Sequence, residues 1–135
     1  MSLMSPKQRE LELLLRQLCD DLDRFLEDNY GEKYPLHPNR PERGKAARVA
    51  YDGLFSTGTK FTLGYGSDHG RGYLVDVEIS TLARVKPEDR EEIENATVSF
   101  LTKHLPKYFP NRDLEVVKDG PVYKIIGDFS LGSLY

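Results

Sequence analysis

Two stretches, KFTLGY (60–65) and GYLVDVEIS (72–80), alternate apolar and polar residues. Phe61, Leu63 and Tyr65 fall against Lys60, Thr62 and Gly64; Tyr73, Val75, Val77 and Ile79 fall against Leu74, Asp76, Glu78 and Ser80. Successive side chains on a strand point to opposite faces, so each stretch predicts a strand with one buried face. Only Gly66–Arg71 separates them, which predicts an antiparallel hairpin. A one-sided hairpin is unstable alone in water, so other parts of the chain must cover its apolar face.

Two amphipathic helices are available for that cover. In residues 6–28, Leu11, Leu14, Leu15, Leu18, Leu22 and Phe25 recur at helical spacing, with Ser5-Pro6 as cap and first position and Gly31 as stop. Leu13, Cys19 and Leu26 widen this face beyond a narrow coiled-coil seam, and part of it is available to a second copy of the chain, as a homodimer. Residues 87–104 predict the second helix: Pro87 opens it, Glu88, Asp89, Glu91 and Glu92 oppose the positive end of its dipole, and Pro106 and Pro110 close the segment. A second hairpin follows, DLEVV (113–117) and VYKII (122–126) around Lys118-Asp119-Gly120-Pro121. Asp52-Gly53 and Thr57-Gly58 read as turns, leaving only a weak strand signal near 47–55. Phe129, Leu131, Leu134 and Tyr135 give the tail an apolar character that predicts docking.

The element order is α-β-β-α-β-β. The predicted fold class is α+β, a two-layer sandwich with an antiparallel sheet of four to five strands and both helices on one face. At 135 residues the chain reads as a single domain, 1–135, with Met1-Ser2-Leu3 ahead of a second Met as a cloning remnant. One cysteine, Cys19, excludes an internal disulfide and a four-thiolate zinc site. No apolar run approaches the roughly 20 residues that span a bilayer, and no secretory leader pattern opens the chain, so the expectation is a cytoplasmic protein without a membrane partner.

Four glycines fall within GYGSDHGRGY (64–73). The spacing is neither the dinucleotide fingerprint nor a P-loop, because a strand follows it instead of a helix and no Walker lysine is present. The plain reading is a structural turn or bulge. The functional reading is a site for an anionic ligand or protein segment: backbone N–H groups of Gly66 and Gly70 as a nest, a hydroxyl from Ser67, an Asp68–His69 acid–base pair, and the Arg71 guanidinium as a bidentate fork.

Residues 32–48 form a basic, proline-punctuated arm after an acidic first helix. Lys33, Arg40, Arg43, Lys45 and Arg48 stand against only Glu32 and Glu42, whereas residues 7–28 carry four bases against seven acids. Its first reading is a packed connector into the sheet. Contact with a protein partner through its overlapping P-x-x-P-x-R registers, or with nucleic acid through the basic residues and Tyr30, Tyr34 and Tyr51, comes behind it. The net charge of −3 argues against nucleic-acid binding by the whole surface.

The three histidines, His37, His69 and His104, lack metal-ligand spacing, so no metal and no cofactor are expected. Asp76 and Glu78 share one strand face, most simply as a solvated surface, and Cys19 reads as a core residue. The leading functional expectation is therefore a small non-enzymatic binding or adaptor domain using the 64–73 loop. The alternatives are an enzyme on a phosphorylated or carboxylated small molecule, with His69 as acid or base and Arg71 as anion clamp, and nucleic-acid binding by the 32–48 arm.

Overall fold

The computed structural model describes residues 5–64 and 70–127. Helix α1 runs Pro6–Tyr30, capped by the Ser5 side chain, which accepts from the Gln8 N–H at 3.1 Å. A short 3₁₀ turn at Val49–Tyr51 leads into β1 (Phe55–Thr62). Strand β2 (Gly72–Ile79), helix α2 (Pro87–Tyr108), and strands β3 (Leu114–Asp119) and β4 (Val122–Gly127) complete the described chain. The four strands form one antiparallel sheet in the order β1-β2-β4-β3. This is the expected α+β sandwich, with four strands.

The register places Phe61, Tyr73, Ile125 and Val116 side by side across the sheet. That row belongs to the inner face, which continues through Val75, Val77 and Ile79 into one core with Leu11, Leu15, Leu18, Leu22 and Leu26 of α1 and Ile93, Phe100, Leu101 and Leu105 of α2. The two helices meet through Phe25 and Phe100, whose ring centroids lie 5.0 Å apart. The outer face carries Lys60, Asp76 and Glu78, all exposed. Asp76 and Glu78 are thus the solvated pair the pattern implies.

Three local readings are corrected. The first strand of the hairpin is Phe55–Thr62 and not 60–65: Leu63 lies exposed beyond its end, and Tyr65 is outside the described residues. Thr57-Gly58 is not a turn but lies inside β1, where a Cβ at Gly58 would meet nothing within 4 Å, so no neighbour covers that face of the strand there. Pro106 does not stop α2, which continues to Tyr108. It sits exposed in the last turn, and the Phe109 N–H still donates to the Leu105 carbonyl at 2.8 Å. The apolar tail residues Phe129, Leu131, Leu134 and Tyr135 lie outside the described residues.

Candidate functional site

Gly66, Ser67, Asp68 and His69 lie outside the described residues; Gly70 and Arg71 are described. Three of the hairpin's four glycines have structural duties. Gly64 and Gly70 both have left-handed backbones (φ +75° and +70°), and a Cβ on Gly64 would overlap the Gly70 carbonyl, so these two residues pinch the neck of the loop. Gly72 lies so close to β4 that a Cβ would collide with the Ile125 carbonyl. Beside the neck, Lys124 is buried on the outer face; its ammonium donates to the Gly70 carbonyl at 2.8 Å and pairs with Asp119 at 2.6 Å. Arg71 is exposed. Much of the glycine content therefore serves the neck.

The arm is tied to its own chain. Arg40 donates from Nε to the Gly53 carbonyl (3.0 Å) and from Nη2 to the Ala50 (2.9 Å) and Asp52 (3.0 Å) carbonyls. One planar guanidinium thus satisfies three carbonyls of an irregular loop that has no ladder to pair with. The buried Asp52 carboxylate completes the loop by accepting from the Gly44 and Ala46 N–H groups. Arg43 pairs with Asp28 at 2.8 Å, Lys33 approaches Asp89 and Glu92 at 3.5 and 3.7 Å, and Arg48 lies over the Tyr51 ring. Lys45 is exposed. Tyr30 and Tyr34 pack against the core, Tyr34 also binding Asp89, while Tyr51 is exposed. The geometry is that of the packed connector.

A feature the motif reading missed lies along β1, an edge strand among the described residues. The Ser80 N–H donates to the Leu54 carbonyl, so even-numbered β1 residues bond to β2 and the backbone groups of Phe55, Thr57, Thr59 and Phe61 point away from the sheet. The first of these are closed by the protein itself. Glu27 Oε1 accepts from the Phe55 N–H at 2.7 Å, and Asp23 Oδ1 accepts from the Thr57 N–H at 2.8 Å. Thr57 Oγ1 donates to the Cys19 carbonyl at 2.9 Å. Helix α1 thus stands in for a neighbouring strand, with two carboxylates one helical turn apart spaced to meet every second strand residue.

Beyond Thr57 this cover ends. The outward N–H and C=O groups of Thr59 and Phe61 make no hydrogen bond among the described residues. They face a groove of about 520 Å³ between α1 and β1, whose lining includes Arg9, Glu12, Leu13, Arg16, Phe61 and Tyr73. Leu13 and Phe61 are 54% and 46% exposed, and the Phe61 ring stands edge-on to Tyr73. Along α1, positions 27, 23, 16 and 9 return to one face every one or two turns. Glu27 and Asp23 stand where the edge is closed; where it is open the helix carries Arg16 and Arg9 interleaved with Asp20 and Glu12. Asp20 also lines the groove; burial raises its pKa, against the pull of Arg24 and Arg16.

At the closed end, Asp23 is fully buried, and its Oδ2 has no hydrogen-bond partner. Burial lifts its pKa to about 7, against the Thr57 hydrogen bonds that favour the anion, and Asp20 and Glu27 push the same way. Burial and the neighbouring Asp23 drive the Cys19 thiol up to about 12, which removes its nucleophilic form at neutral pH. His104 stacks on Phe100, its pKa lowered by burial and by Lys107 and Lys103. No metal-holding group of three or more His, Cys, Asp or Glu side chains occurs among the described residues, and no helix is long and apolar enough to cross a membrane.

A family model described as "Uncharacterised protein" matches residues 6–127, from the first residue of α1 to the last of β4. The chain is also 48% identical over 123 residues to an "Uncharacterized protein" of Borreliella burgdorferi, a match that covers 91% of this chain and 96% of that one. No solved structure matches.

Proposed function

We propose that this chain, which belongs to that family of uncharacterised proteins, is a small non-enzymatic binding or adaptor domain that holds an anionic ligand or protein segment. The observation that carries the proposal is the open edge of β1 at Thr59 and Phe61, bordered by Arg9 and Arg16. Tyr73, in β2, also lines the groove, and exposed Arg71 two residues before it supplies a further cation near the loop's neck. The protein works in the cytoplasm, in keeping with its single buried thiol.

The test is a thermal-shift screen of the wild type, Arg16→Ala and Arg71→Ala against nucleotides, sugar phosphates, dicarboxylates and acidic peptides. A ligand at a hundredfold excess over its Kd stabilises the native state by about 2.7 kcal/mol. The expected result is stabilisation that one of the two variants abolishes. No stabilisation by any compound, or stabilisation retained in both variants, overturns the proposal.

A further inference from the structure

Given the binding role proposed above, we infer that the open stretch of β1 receives an extended peptide segment of another protein as a fifth strand, with an acidic side chain of that segment held by Arg16 and Arg9. The closed half of the edge supplies the pattern. Each outward N–H at Phe55 and Thr57 is met by a carboxylate from α1. The Phe55 carbonyl is approached by Arg40 at 3.4 Å. Further along the strand, at Thr59 and Phe61, the helix presents Arg16 and Arg9 among Asp20 and Glu12, and the N–H and C=O groups have no partner among the described residues. Complementing that half requires backbone acceptors and donors, and Arg16 and Arg9 add places where a carboxylate of the incoming segment is held.

An added strand fits the geometry. Strands pair about 4.8 Å apart, and alternate side chains of the incomer point to the helix side. There they meet exposed Leu13 and Phe61, in a groove of about 520 Å³. Three residues of peptide span Thr59 to Phe61 and satisfy their four outward groups. Lys60 stands exposed on the other face of the same edge, a placement that discourages indiscriminate strand pairing and favours an acidic segment. Glu12 and Asp20 also line the groove, so the attraction is local to the arginines and not a uniform basic field.

Proline separates this inference from general anion binding. Thr59→Pro removes one outward donor while leaving every bond to β2 in place, and proline is tolerated on edge strands at such positions. A phage-displayed library of random dodecapeptides is selected on the wild type, and the enriched peptides are titrated against Thr59→Pro, Arg16→Glu and, as a fold control, Thr59→Val. The expected result is enrichment of alternating apolar–polar sequences carrying Asp or Glu. Binding should weaken at least about fivefold in Thr59→Pro, from the lost donor and blocked approach, and in Arg16→Glu, but not in Thr59→Val. No enrichment, or peptides that bind Thr59→Pro as tightly as the wild type, overturns strand addition. If small dicarboxylates still stabilise the protein through Arg16 or Arg71, the binding-domain proposal survives that result. A dimer that Thr59→Pro converts to monomer, without peptide enrichment, gives the edge to a second copy of the chain and also overturns the inference.

Discussion

Replacing Asp23 with asparagine should flatten the pH dependence of this protein's stability. In the wild type the carboxyl is fully buried between α1 and β1, with one oxygen accepting from the Thr57 N–H and the other unpartnered. The groups around it are Cys19, Asp20 and Glu27 on α1 and Thr57 on β1, and none supplies a compensating cation. Burial therefore moves its pKa from 3.8 to about 7. A raised carboxyl pKa means the folded state holds the proton more tightly than the unfolded chain does. Its contribution to stability is present in full below the unfolded value and is lost as pH climbs through about 7. The whole displacement is worth at most about 4 kcal/mol, and roughly 2–3 kcal/mol of it falls between pH 5 and pH 8. For a domain of this size that is a shift of about 10 °C in Tm. Asparagine keeps the acceptor for Thr57 and cannot ionise. Thermal unfolding of both proteins from pH 5 to pH 8 should show the wild type losing that increment relative to Asp23→Asn. Glu27 and Asp20, also raised by burial, act in the same direction in both proteins and largely cancel in the difference. Parallel curves to within about 0.5 kcal/mol, or a wild type that gains on the variant as pH rises, would refute the reasoning.

Substitutions at two further places check the connector and the hairpin neck. Arg40→Ala removes the donors for three loop carbonyls and should cost about 2–4 kcal/mol in urea denaturation, with Arg40→Lys recovering only part of it; a loss under about 0.5 kcal/mol would mean the connector does not depend on the guanidinium. Gly64→Ala places a Cβ against the Gly70 carbonyl at a left-handed backbone and should destabilise by about 1–3 kcal/mol, whereas Gly58→Ala in the same hairpin should change stability by less than about 1 kcal/mol, and equal effects at the two sites would contradict the pinched neck.

The hairpin loop shows how glycine content alone leaves a structural and a functional reading side by side. Its four glycines suggest a ligand cradle in the sequence, while in the structure Gly64 closes on the Gly70 carbonyl, Gly72 on the Ile125 carbonyl of β4, and Gly66 lies outside the described residues. The basic arm behaves likewise: a run of cations suggests a polyanion, while Arg40 and Arg43 are spent on carbonyls of their own loop and on Asp28. The carboxylates that close the strand edge carried no motif at all. Asp23 and Glu27 are two acids in an acidic helix, and their partners lie 34 and 28 residues away. Leu13, singled out in the sequence for widening the helix's apolar face, is the residue whose exposure now marks the groove.

What the sequence determined by itself is the identity and order of the elements. Helical spacing of leucines, strand alternation and turn residues are set by neighbours within a few positions, where backbone geometry acts directly. Strand order, with β4 seated between β2 and β3, was beyond it, because the alternation of a strand specifies which face is buried and not which edge it pairs. The direction of each backbone N–H along β1, and hence which are closed by Glu27 and Asp23 and which stand open beside Arg16, follows only from the register with β2. That register is a property of the packed sheet: one step of slip would exchange the outward and inward groups and move the open edge elsewhere.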